Sequence, residues 1–337
     1  MELEDIQGLV VRGHSDLPAA CYLNLKISSA EKARDWLKKM LPEFTPANQK
    51  PAKRRLQIAF TYAGLLAIGL PENELENLNP EFVQGMATEY RARLLGDIGS
   101  SAAEHWEWGG PANPAVHILL CLFAVDATEL KSWSKALTEE LDLAGLVVTK
   151  HLDSQVNAAE KEHFGFHDGV SQPILPGLSK KGSPGNPEVA LGEFVMGYEN
   201  AYEELPDSPR LPKAWDVDNL LPQDAEKPNF VDLGKNGTYL VFRQLRQDVA
   251  SFWRFLKEAV EKENAGAGEE EVIALAAKMV GRWPSGAPLA CAPLQDAPEM
   301  ASENDFLYHE NDSEGFRCPV GSHVRRANPA SYTHLRA

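Results

Sequence analysis

Two short blocks hold residues whose types and spacing could do chemistry. The first is Gly165-Phe166-His167-Asp168-Gly169, running into Val170-Ser171-Gln172-Pro173. The second is Cys318-Pro319-Val320-Gly321-Ser322-His323-Val324-Arg325-Arg326-Ala327-Asn328-Pro329. A carboxylate such as Asp168 can move a proton, and glycines on either side let the backbone come close to a ligand. An imidazole such as His323 can bind a metal through one ring nitrogen and leave the other free to donate. Asp168 and His323 therefore read as two halves of one site. Asp-Gly is also an everyday turn, so the five residues alone favour a turn aspartate. The second block is what tips the balance toward function.

The elements that must position these blocks alternate in type. Ile6 to Arg12 is a short apolar strand candidate, and Ser29 to Leu41 has helical spacing with Ser28 or Ser29 as N-cap. Leu56 to Thr61 is expected as a strand. A helical insertion follows at Tyr62 to Ile68 and Pro80 to Leu95, closing in a Gly/Ala/Trp loop over Gly96 to Pro114. Val116 to Ala124 reads as a strongly apolar strand, Ala127 to Leu141 as an amphipathic helix and Leu146 to Leu152 as a last strand. This is βαβ followed by βαβ, a ferredoxin-like pattern with one insertion. Residues 154–236 form a connecting segment: a Gly/Pro/Ser-rich loop bearing the Asp168 motif, a short strand over Glu193 to Tyr198, and an acidic, Pro-rich surface excursion over Ala201 to Asn236. The second half restarts with a strand over Gly237 to Leu245, then helices over Val249 to Lys262 and Glu269 to Trp283. The domains are thus expected at 1–153 and 237–329.

Bulk properties exclude several classes. The chain has 337 residues, 33 of them basic and 49 acidic, for a formal net charge of −16. That surface repels phosphate backbones, so no nucleic-acid partner is expected. No apolar run approaches the ~20 residues a membrane helix needs, and the acidic start is not a secretory signal; a cytoplasmic location is expected. The four cysteines, Cys21, Cys121, Cys291 and Cys318, form no CxxC pair, which argues against a zinc site or a disulfide framework. There is no Walker loop, no GxGxxG after a strand, no His-Glu-x-x-His and no nucleophile elbow, which removes nucleotide, zinc-hydrolase and serine-hydrolase readings.

The two blocks together resemble the dye-decolourising peroxidases, a family of haem enzymes. Ordered landmarks support the likeness: Asp5-Ile6-Gln7-Gly8-Leu9, Phe60-Thr61-Tyr62-Ala63-Gly64-Leu65, Leu94-Leu95-Gly96-Asp97, Met279-Val280-Gly281-Arg282-Trp283 and Asn304-Asp305-Phe306. The resemblance implies an α+β fold of two ferredoxin-like domains, of the dimeric α+β barrel type, the second incomplete in this chain. It implies haem b, with His323 as the axial iron ligand and Asp168 as the distal acid–base group. Arg243 would pair a propionate, His167 would line the cavity near the propionates, and Phe166 and Gly169 would lie against the macrocycle. Phe164, Ile174, Leu175 and Leu289 have core packing as the default, with contact to the macrocycle as the alternative. Tyr198, Tyr239, Trp253 and Trp283 could relay electrons. Hydrogen peroxide and small aromatic donors such as phenols and anthraquinone dyes are the implied partners; a homo-oligomer is left open. The family's distal arginine is expected beyond Ala337, because Arg325 and Arg326 stand too close to His323 for that role. Residues 330–337 read as a non-native tail, so the native sequence is expected to part from this one near Pro329. Two rivals stay open: a non-catalytic haem carrier, and cargo for a protein shell. A chlorite-decomposing haem enzyme is a weaker third.

Overall fold

The computed structural model describes residues 1–154, 161–167, 169–170, 173–178 and 188–327. The chain divides into two compact units, residues 1–156 with 190–241, and residues 157–189 with 242–337. The segment set apart at 154–236 is thus shared between them, and the division falls between 241 and 242.

The first unit begins with a helical turn, α1 (Gly8–Val11), where a strand was expected. The Gln7 side chain explains the difference. Its amide donates to Ile58 O at 2.8 Å and accepts from Ile58 N at 2.8 Å, so a side chain supplies the edge pairing that a strand would have made. The first strand is β1 (Ala19–Ile27), followed by α2 (Ala30–Met40) and β2 (Arg54–Phe60). The insertion carries α3 (Tyr62–Ile68), α4 (Pro80–Gln84) and α5 (Glu89–Leu95). Then come β3 (Ile118–Ala124), α6 (Ala127–Leu143) and β4 (Leu146–Ser154). The four strands pair antiparallel in the order β2-β3-β1-β4. That order and the βαββαβ connectivity make this unit ferredoxin-like.

Burial explains the order. Every residue of β3 is buried, so it runs centrally, between β1 and β2. Alternate residues of β1, Cys21, Leu23, Leu25 and Ile27, join one core with Ala33, Trp36 and Met40 of α2 and Leu130, Leu137 and Leu141 of α6. Those helix positions recur at intervals of three, four or seven, so each helix lays one stripe on the sheet. Asp126 caps α6 by accepting from Glu129 N at 2.8 Å.

The stretch from 190 to 236 packs with this unit. It holds no strand over Glu193 to Tyr198, where a 3-10 turn spans Leu191–Glu193. It does hold a small hairpin, β5 (Arg210–Pro212) with β6 (Phe230–Asp232). Arg210 anchors it from a buried position, donating to Asp224 at 3.4 Å and Glu226 at 3.1 Å. Residues 237–248 carry no regular structure. The strand expected over Gly237 to Leu245 does not form: its residues favour β structure, but β preference becomes a strand only against a pairing neighbour. Val241 and Leu245 stand largely exposed.

The second unit is built on α7 (Val249–Glu263) and α8 (Glu269–Val280). Leu256, Val272 and Ala276 meet Phe166 in their shared core. Asp248 caps α7, and Glu271 accepts from Gly268 N at 2.9 Å to start α8. Two short helices follow, α9 (Tyr308–Asn311) and α10 (His323–Ala327). Among its described residues this unit supplies helices and loops, with strand pairing limited to isolated bridges.

Candidate functional site

His323 opens α10, and its side chain is exposed. Among the described residues its imidazole makes no hydrogen bond or ion pair, while the polar groups around it are tightly engaged. Asp312, buried, accepts from Arg317 N at 3.0 Å, Cys318 N at 2.8 Å and Arg325 Nη1 at 3.1 Å. Arg325 also donates to the carbonyls of Cys318 at 2.8 Å, Asp312 at 2.9 Å and Ser313 at 3.1 Å. Its guanidinium lies 4.7 Å from the centre of the Tyr308 ring. Cys318 Sγ is 3.2 Å from Ser322 Oγ, and burial pushes the Tyr308 phenol, beside Cys318, well above its usual range. Behind the turn, α8 ends at Gly281 with φ 97°; a β-carbon there would come within 3.0 Å of Ser322 Oγ and 3.1 Å of Val324. The sequence therefore needs glycine at this point to let the end of α8 support the His323 turn.

Asp168 lies outside the described residues, but the residues on both sides are held. Gly165 and Gly169 have φ of 101° and 71°, so both glycines occupy the left-handed region. Before position 168, the Glu162 carboxylate accepts from Phe164 N at 2.7 Å, Phe166 N at 2.8 Å and Gln247 Nε2 at 2.8 Å. After it, Asn304 Nδ2 donates to Val170 O at 3.0 Å. Asn304 Oδ1 in turn accepts from the buried Arg282, which also donates to Gly286 O at 2.7 Å and Glu303 O at 3.1 Å. Burial pushes the Arg282 guanidinium below its ordinary range. Its hydrogen bonds go to backbone carbonyls and an amide, and its guanidinium lies 5.9 Å from the centre of the Phe306 ring, so it is a loop brace.

The other expected site residues fall as follows. Phe166 is 3% exposed and sits in the core shared by α7 and α8, so its ring packs against helices. Phe164 stacks near Phe252, ring centres 4.5 Å apart. Leu289 and Trp283 belong to a second core with Ala287 and Tyr308. His167 is half-buried and bridges to Lys161 through the backbone. Arg243 is half-buried in the irregular segment before α7, not at a strand end. In the first unit, Tyr198 donates to Asn236, and Asn79 N donates to the Tyr239 hydroxyl. Sequence reasoning missed Glu162 and Asp312. No motif or spacing marks either one; Asn304 was visible only as part of a landmark.

A single exposed imidazole on a well-braced turn suits an axial haem ligand, which needs one nitrogen donor from the protein on that face. Among the described residues, nothing lies within 4 Å of a β-carbon added at Gly165 or Gly169, which suits the approach of a flat group to that loop.

No family model matches the chain. It is 30% identical over 290 residues to a dye-decolorizing peroxidase of Mycena epipterygia, covering 81% of this chain and 49% of that protein. A dye-decolorizing peroxidase of Auricularia auricula-judae is 29% identical over 287 residues, covering 81% and 48%. The chain thus spans about half the length of the curated relatives it matches. Among solved structures, an ancestral D-type dye decolorizing peroxidase superposes with a TM-score of 0.75 at 26% identity, over 98% of this chain and 70% of that one. The fold of a dye-decolorizing peroxidase in complex with 2,6-dimethoxyphenol matches with a TM-score of 0.76 at 24% identity, over 98% and 70%. Sequence likeness, the shared fold and the ordered motifs agree: over 81% of its length the chain is similar to the dye-decolorizing peroxidases.

Proposed function

We propose that this protein acts as a haem peroxidase, reducing hydrogen peroxide and oxidising small aromatic donors such as phenols and anthraquinone dyes. The observation that carries the proposal is the state of His323. Its imidazole is exposed and free of partners among the described residues, on a turn that Asp312 and Arg325 hold in place. His323 would hold the iron of haem b, and haem when bound supplies the two-electron chemistry of peroxide cleavage. Asp168 would carry a proton from one peroxide oxygen to the other, the role a carboxylate fills within one hydrogen bond or one water of its substrate. The glycines at 165 and 169 support this by letting the loop backbone lie close to a flat ligand. His167, Gly169 and Arg243 would border the group on the protein side, with Phe166 backing the loop from the core of α7 and α8 and Arg243 pairing a carboxylate of haem. The complex of a solved relative with 2,6-dimethoxyphenol supports a phenolic donor.

The test is oxidation of an anthraquinone dye by the hemin-loaded full chain with added peroxide. Activity that falls at least about a hundredfold in Asp168→Asn, with the haem spectrum intact, supports the proposal. A chain that binds hemin yet oxidises no dye would favour a haem carrier and refute the peroxidase role.

A further inference from the structure

The His323 turn is braced more heavily than a loop of its size requires. Helix α10 spans five residues, too few to be stable by its own hydrogen bonds. Something else must fix it. The Asp312–Arg325 ion pair is the strongest grip on it: the two side chains are only 3% and 10% exposed. Taking both charges out of water is costly unless every lone pair and proton finds a partner. Here they do. Asp312 receives three donors, and Arg325 reaches three backbone carbonyls as well as the carboxylate. The contacts tie residues 312–313, 317–318 and 325 into one body. His323 stands between the tied points, two residues before Arg325 and five after Cys318. Ser322 N donates to Pro319 O at 2.9 Å and Arg326 N to Ser322 O at 3.0 Å, so the backbone on either side of His323 is held too. The imidazole itself takes no share in this network.

We propose that Asp312 and Arg325 are positioning residues for His323, fixing the height and tilt of its imidazole toward the iron. The proposal rests on His323 being the axial ligand. An axial bond is directional, and a ligand on a turn this short would sample several orientations without the brace. An ion pair that is buried but spends its donors on the turn's own carbonyls supplies rigidity, and it leaves the imidazole free for the metal.

The experiment is hemin titration of the full chain with resonance Raman spectroscopy of the reduced haem, which reads the iron–imidazole stretch. Four variants are compared with the unsubstituted protein: His323→Ala, Asp312→Asn, Arg325→Lys and, as a control, Leu256→Ala in the core of α7 and α8. His323→Ala should lose the stretch, and added free imidazole should restore one. Asp312→Asn and Arg325→Lys should keep the band but broaden or shift it, and should weaken hemin binding by about tenfold or more. Leu256→Ala should lower the melting temperature and leave the band shape unchanged. If Asp312→Asn loses its circular-dichroism signal, Arg325→Lys, which keeps the charge and loses the fork, carries the comparison. An unchanged band and affinity in the folded pair variants, with the band lost in His323→Ala, would overturn the positioning role while sparing the ligand. A band that survives in His323→Ala, or no hemin binding by the unsubstituted chain, would overturn the ligand assignment beneath it.

Discussion

Acidification should destabilise the first unit through one histidine, and His14→Asn should abolish that loss. His14 is 2% exposed, its ring 4.7 Å from that of Phe123, on a backbone with φ 56°. Arg55 Nη1 lies 3.1 Å from His14 Nδ1. A guanidinium can only donate, so Nδ1 accepts and Nε2 bears the ring proton, with no partner of its own among the described residues. A second proton would set N–H against N–H beside a positive charge. Burial, then Arg55 and Arg12, lower the pKa from 6.5 to about 4, with Asp16 opposing and Lys50 adding slightly. The sign follows from linkage: between pH 6.5 and about 4 the unfolded chain binds a proton that the folded chain refuses, so stability falls as pH falls. At about 1.4 kcal/mol per pH unit, the loss across that window is roughly 3 kcal/mol. Asp16 acts in a separate window. Hydrogen bonds from Arg55 hold its carboxyl below the usual 3.8, so its contribution is present above that value and lost only as pH drops further. Urea unfolding of the protein and of His14→Asn from pH 7.5 to 4 measures the difference. Asparagine tolerates positive φ, so the backbone is kept. Equal pH slopes in the two proteins would refute the reasoning, whatever other groups titrate.

Three further outcomes follow from packing. Leu120, fully buried on β3 between Leu23 and Ile58, should cost about 2–5 kcal/mol in urea unfolding when changed to alanine; a loss below about 1 kcal/mol would mean β3 is not central. Gly281→Ala forces a β-carbon against Ser322 and Val324 and strains a residue at φ 97°. It should lower hemin affinity as well as the melting temperature, and unchanged affinity would show that α8 does not support the His323 turn. Cys21 and Cys121, both pushed up to about 12 by burial, should resist alkylation at pH 8 until the chain is unfolded; rapid labelling of the native protein would contradict their burial.

Much of the first unit was legible because its elements carry their own period. The apolar positions of α2 and α6, and the unbroken apolar run of β3, each have one reasonable reading. The strand β1 was equally legible and was missed: Cys21, Leu23, Leu25 and Ile27 alternate with Tyr22, Asn24 and Lys26, a plain two-residue period. The apolar run at 6–12 has an equally strong strand signal, yet there a side-chain amide at Gln7 replaces the strand pairing. In the second unit the blocks around Asp168 and His323 stood out by composition. The groups that brace them did not. Asp312 and Arg325 are 13 residues apart, Glu162 and Gln247 are 85 apart, and Asn304 and Val170 are 134 apart. Such pairs have no period and no motif, and only the folded chain brings them together.

The central claim is that His323, among nine histidines in the chain, binds haem iron. Pulsed electron paramagnetic resonance of the hemin-loaded ferric protein, prepared with nitrogen-15 histidine, reads a directly coordinated imidazole nitrogen. The strong nitrogen coupling should be present in the unsubstituted chain and in His167→Ala, and absent in His323→Ala. A coupling that persists without His323 would place the iron on another residue and contradict the assignment.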